Sequence, residues 1–470
     1  MFTAAAGTML SLLAGRAMAE TVHGVVVFTR HGDRTTKHYG AQTLTNLGTT
    51  QNFQIGSDYR ARYIKSSSPH QILNISEFNY VPSQIYASAP NQGILLNTAT
   101  AFLQGLYPPL ADLNPSIATQ TLNNGSESTS PLNGYQYITL QGIPPNSPDA
   151  IWIKGDDNCP AVTQASQSFE SSPEFTTKLT STREFYQSLF PVLKSVYDIT
   201  SPEDLSYASA YDIYDLINVA RLHNSSFSIS PSQLFQLRTL ADSAEFAYNF
   251  NASQPERSIH ARTLSSAILT QLNKTVALEG ALKFSLLAGS YDAFLAFFGL
   301  AGLTEVSESF YGLPDYASTM AFELYSPETR TSFPEEKDLW VRFLFKNGTA
   351  GGLDSWPLFG TGRESLSWGE FTREMKRRAI GSAEEWCSAC GSSDGFCATY
   401  TGVAAEMFTR GGMPNAIAGV VGAAVTLVVL GIVGLMAFLF VRRRRSGGSV
   451  VVMADEKGSV RSGSTGAGKL

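Results

Sequence analysis

Val25-Val26-Val27-Phe28-Thr29-Arg30-His31-Gly32-Asp33-Arg34 decides how the rest of the chain is read. The short apolar, β-branched run reads as a buried strand. It ends in two arginines, a histidine and a glycine. That puts a polar cluster at the carboxyl end of the strand, where open α/β sheets hold their ligands. Gly32 lacks a Cβ, so the backbone can turn sharply and approach a ligand closely. Arg30 and Arg34 carry permanent, planar charges suited to phosphate oxygens. His31 is a nucleophile or base that works near neutral or acid pH. One histidine beside one arginine would be an ordinary loop feature. The strand context and the full Arg-His-Gly-x-Arg spacing make this a candidate anion site.

Working outward, the chain has 470 residues, with 43% hydrophobic and 16% charged side chains, which describes a globular protein of one large or two moderate domains. The net charge of -6, with no basic face before the far end, excludes nucleic acid as a partner. Four cysteines occur, Cys159, Cys387, Cys390 and Cys397. Two disulfides in any of three connectivities fit a secretory protein, and Cys159 is expected to pair with a late cysteine. A four-thiolate zinc site is the rival, but Cys387-x-x-Cys390 has no second C-x-x-C to complete it.

Residues 1–19 read as a signal peptide, with Ala17-Met18-Ala19 as the cleavage pattern. Residues 416–441 are 26 residues without a charge, followed by Arg442 to Arg445. That predicts one transmembrane helix, with the arginines and the Gly/Ser-rich tail 442–470 in the cytoplasm. Residues 401–415 serve as a juxtamembrane linker. The folded part, residues 20–400, then lies on the extracellular or lumenal side. The six sequons at Asn74, Asn124, Asn224, Asn251, Asn273 and Asn347 all fall on that side. Oligomeric state and the choice between plasma and internal membrane are not written in the sequence.

Along the folded part, a helix is expected from the Leu44-Thr45-Asn46-Leu47-Gly48 turn to about Tyr63, with Thr45 capping it and Phe53 and Ile55 as apolar anchors. Gln84 to Ser88 reads as a strand and Gly93 to Gly105 as a helix. Tyr135 to Leu140 and Ala150 to Ile153 are two further candidate strands among loops. Helices are expected over Phe185 to Tyr197, Ser209 to Leu222 and Ser232 to Asn249. Lys283 to Ala288 is another buried strand, followed by Gly289-Ser290-Tyr291-Asp292 and an apolar helix from Ala293 to Leu303. Tyr316-Ala317-Ser318 with Glu323 to Tyr325, and Trp340 to Asn347, look like paired antiparallel strands.

These segments resemble the histidine acid phosphatases, a branch of the phosphoglycerate mutase-like histidine phosphatase superfamily. The resemblance covers about Thr21 to Cys397. It implies an α/β core sheet flanked by helices, with an inserted, mainly helical cap over roughly 160–275. By resemblance, His31 attacks phosphorus to form phosphohistidine, Arg30 and Arg34 hold the phosphoryl oxygens, and Asp292 protonates the leaving oxygen. No cofactor and no metal are implied. Three expected basic residues are missing. The family's third arginine falls at Ala87, a later arginine falls on or near Gly93, and the histidine of the late His-Asp pair is Tyr291. Lys37 and His38 are the nearest reserve of positive charge, while His70, His223 and His260 read as surface or cap residues. Two functions follow as expectations: a membrane-anchored acid phosphatase of low or altered activity, hydrolysing phosphomonoesters, or a pseudophosphatase that binds a phosphate ligand or a protein.

Overall fold

The computed structural model describes residues 20–400, apart from residue 197. The expected signal peptide, linker, membrane span and tail lie outside the described residues. Among the described residues no helix is long and apolar enough to cross a membrane.

The core is a mixed sheet between two helical layers. Its strands are β1 (Thr21–Arg30), β2 (Ile85–Pro90), β3 (Gln141–Ile143), β4 (Phe284–Gly289), β5 (Thr319–Ser326), β6 (Trp340–Lys346) and β7 (Ser365–Ser367). Their order across the sheet is β7-β6-β5-β1-β4-β2-β3. β1 lies at the centre, parallel to β4 and antiparallel to β5. All ten of its residues are buried, which explains a run without polar alternation.

One face of β1 presents Val25 and Val27 to α1 (Asn46–Tyr63) and α2 (Gly93–Leu106), and the other presents Val26 and Phe28 to the opposite layer. That layer contains α5 (Ile259–Ala277) and α6 (Tyr291–Leu300). The cap includes α3 (Ala210–His223) and α4 (Pro231–Asn249) and has a core of its own, built from Phe169, Tyr186, Leu193, Ile217 and Leu237. The span expected as cap therefore divides. Residues up to Asn249 close on their own core, whereas α5 packs on the sheet itself.

Three local expectations are corrected. Tyr135 to Leu140 is not a strand. Gln136 commits its side chain to Tyr80 N, Phe78 O and Pro108 O, and pairing with β2 begins only at Gln141. Ala150 to Ile153 is a 3₁₀ turn, closed by Ile153 N donating to Ala150 O at 3.3 Å. Phe53, expected as an anchor, is 39% exposed, while Ile55 is fully buried. The helix cap holds as expected, with Thr45 Oγ1 accepting from Gly48 N at 3.1 Å.

Candidate active site

Register places the site. Arg30 stands opposite Gly289 where β1 and β4 run parallel, so both chains leave the sheet at one level. His31 and the start of α6 are thereby brought to the same edge.

The loop after β1 is clamped by α1. Asn52 Oδ1 accepts from Gly32 N at 2.7 Å, and Asn52 Nδ2 donates to Arg30 O at 3.1 Å. One side chain thus holds both neighbours of His31. The close approach expected of Gly32 is made to the helix and not to a ligand: a Cβ there would collide with Gly48 O. Gly48 needs its own glycine for the same contact, since a Cβ would run into Asp33 O. Buried Asp33 takes Thr45 Oγ1 at 2.5 Å and His223 Nε2 at 2.7 Å, which ties the loop to the cap.

His31 Nδ1 lies 2.9 Å from the Gly32 carbonyl. A carbonyl only accepts, so Nδ1 carries the proton and Nε2 keeps its lone pair. Burial, and then the charges of Arg30 and Arg34, push the imidazole well below its ordinary pKa. Both effects favour the neutral ring, whose Nε2 is the nucleophilic nitrogen.

The two arginines are held differently. Arg34 Nη1 pairs with Asp215 at 3.0 Å, both side chains at most 2% exposed, and Nη2 donates to the Tyr211 hydroxyl at 3.2 Å. Arg30 Nη1 donates to Pro314 O, and the guanidinium lies between the Tyr291 and Tyr316 rings, 5.1 and 4.7 Å from their centroids. The Nε atoms of both arginines are buried and lack a protein partner. Buried donors of this kind call for an acceptor, and a phosphoryl oxygen supplies one.

The other rim differs. Tyr291 turns its ring towards Arg30 and Tyr211, and its hydroxyl donates to Glu245 Oε2 at 2.8 Å. Burial, and the negative charge of Glu245, raise that hydroxyl well above its ordinary pKa, so it stays protonated and brings no charge. Ala87, the expected place of a lost arginine, packs in the α1–α2 layer, while Ser88 shares a cleft on the opposite face of the sheet with Trp152, Ile153 and Leu287. Gly93 opens α2 facing open space, with nothing within 4 Å of where a Cβ would stand.

Asp292 begins α6 beside Tyr291, close enough that its charge acts on His31. Its Oδ2 faces Lys154 at 4.0 Å and His260 Nδ1 at 3.7 Å. Sequence reasoning missed both partners. His260 is not a surface residue but 2% exposed, on the face of α5 that packs inward. The signal was its place among apolar residues, Ile259 and Ala261. His38 pairs with Asp212 at 2.7 Å and Lys37 lies over the Tyr211 ring at 4.4 Å, so the expected reserve of charge is engaged at the cap.

Away from the pocket, Cys159 bonds Cys390 and Cys387 bonds Cys397. The first bond joins the middle of the chain to its end, as expected, and all four thiols are consumed, which removes the zinc alternative. None of the six sequon asparagines is buried.

A central parallel pair of strands delivering a neutral histidine between two arginines defines a phosphohistidine-type phosphatase fold. The profile of the histidine phosphatase superfamily (branch 2) matches residues 36–346, and the chain belongs to that family. The match begins just past Arg34, so the Arg-His-Gly-x-Arg loop stands as independent support. The chain is 26% identical over 334 residues to a lysosomal acid phosphatase of Xenopus laevis, covering 67% of this chain and 68% of that one. Among solved structures it is similar to the apo phytase of Hafnia alvei (14% identity, 78% and 98% of the two chains, TM-score 0.46). It is also similar to the phosphate complex of a Bifidobacterium longum multiple inositol polyphosphate phosphatase (11% identity, 78% and 96%, TM-score 0.47).

Proposed function

We propose that the protein is a membrane-anchored, extracytoplasmic phosphomonoesterase of low or altered activity, with His31 as nucleophile. The observation that carries this reading is His31 itself: neutral, with Nε2 free, between arginines whose buried Nε atoms lack partners. In the reaction, His31 Nε2 bonds to phosphorus as the P–O bond to the leaving group breaks. The leaving alkoxide takes a proton from Asp292. Water then attacks the phosphohistidine, giving its proton back to Asp292 and releasing phosphate and the neutral imidazole. Arg30 and Arg34 steady the charge on the phosphoryl oxygens. The acid phosphatase relative, the sequons and the 416–441 stretch support a secretory-pathway location with a single span.

A second reading, a pseudophosphatase that binds a phosphate-bearing ligand without turnover, is favoured by Tyr291, whose protonated hydroxyl brings no positive charge to the site. An aryl phosphate assay of the full-length protein at acid pH, beside His31→Ala, separates the two. Hydrolysis abolished by the substitution supports the enzyme. Turnover that ignores the substitution overturns it, and phosphate or vanadate binding without turnover establishes the binding module.

A further inference from the structure

Behind Asp292 lies a group of side chains that the phosphoryl chemistry does not use. His260 Nε2 lies 2.7 Å from the Ile153 carbonyl. The carbonyl can only accept, so this nitrogen carries a proton. Nδ1 is buried without a hydrogen-bond partner, and so is Asp156 Oδ1, although the two are 3.1 Å apart. Asp292 Oδ2 stands 3.7 Å from the same nitrogen. In the neutral ring Nδ1 holds a lone pair that faces both carboxyl groups. A ring nitrogen fixed by a backbone carbonyl on its far side is the usual support of a metal-bound histidine.

The geometry points to a divalent cation site formed by His260 Nδ1, Asp156 and Asp292. Ligand atoms from these residues all lie within 4.8 Å of one another. Bonds of about 2.0–2.2 Å set the ligand atoms of a tetrahedral site roughly 3.3–3.6 Å apart, and the 3.1 and 3.7 Å separations of His260 Nδ1 from Asp156 and Asp292 lie either side of that spacing. One imidazole and two carboxylates suit zinc or a similar borderline ion, and the three donors leave a fourth position for water. The Lys154 ammonium pairs with Asp157 at 3.8 Å and with Asp292 at 4.0 Å, so a bound cation shares the Asp292 carboxylate with it.

Occupancy would tie up the Asp292 carboxylate and prevent it from carrying a proton. Zinc would then act as a reversible inhibitor, a consequence that rests on Asp292 being the acid proposed above, whereas binding itself does not. The test is calorimetric titration of zinc into the full-length protein in detergent, with cobalt absorption as a second readout. One ion is expected to bind at micromolar concentration, with affinity at least about tenfold weaker in His260→Ala and in Asp156→Asn. Asp156→Asn guards against a folding defect, because Asp156 is partly exposed. Equal affinity in wild type and both variants, or no binding below about 1 mM, overturns the site. Binding that depends on His260 in a protein without turnover upholds the site and sinks only the enzymatic reading. Zinc-insensitive turnover in the zinc-loaded protein overturns the inhibition.

Discussion

Around His31, the rim supplied by β1 and α1 carries Arg30 and Arg34, each bonded into place, with Asn52 pinning the backbone on both sides of the nucleophile. The rim supplied by α6 carries Tyr291, a neutral phenol bonded to Glu245. The first rim is held by contacts that also fold the protein: Gly32 against Gly48, and Arg34 against Asp215. The second rim is held by contacts peripheral to the sheet. Removing a charge that doubles as a structural pin destabilises the fold, whereas a charge that only touches a ligand can go without harm to folding. The difference explains how a pocket can keep its nucleophile and lose part of its cage.

The largest test of the first rim is His31→Ala, which is expected to lower turnover by about 10⁴-fold or more, read as kcat with an aryl phosphate. A smaller loss would shift the chemistry to another residue. Asp215→Asn strips the buried Arg34 of its counter-charge and should cost about 3–5 kcal/mol in urea unfolding. A near-neutral result would show that the pair is not a structural pin. The second rim is tested by Tyr291→His. Replacing a missing preorganised donor should raise kcat by about 10²–10³, and an unchanged rate would mean that the uncharged rim is not what limits turnover.

The smallest effect lies away from both rims. His23, buried on β1 against Ser326, is pushed down to about 4, mainly by burial and then by Lys283 and Arg330. Its unfolded value is near 6.5, so the unfolded chain binds a proton that the native one refuses. This group therefore leaves stability intact above about pH 6.5 and erodes it as the pH falls towards 4, by at most about 3 kcal/mol. His23→Gln should flatten that part of the stability profile. If the slope persists, other groups set it.

Much of the fold was legible. β1, β4, α1 and α3 announce themselves through unbroken apolar runs or helical spacing with a cap. Tyr135 to Leu140 misled because Gln136 spends its side chain on Tyr80, Phe78 and Pro108, and pairing with β2 begins only at Gln141. His260 escaped notice because its partners come from two separate segments, one with Ile153 and Asp156 and the other with Asp292. Only the packing of α5 against the 3₁₀ turn brings them together.

The Cys159–Cys390 bond encloses 231 residues, a loop that contains the whole cap and Asp292. Constraining so long a loop in the unfolded chain is worth about 5 kcal/mol. It also imposes an order on synthesis. Cys159 leaves the ribosome long before its partner and must wait as a free thiol while the cap folds. When the end of the chain arrives, it brings Cys387, Cys390 and Cys397 within a few residues of one another. Early pairing of Cys387 with Cys390 would strand Cys159 and Cys397, and the native pairing is then reached only by thiol–disulfide exchange.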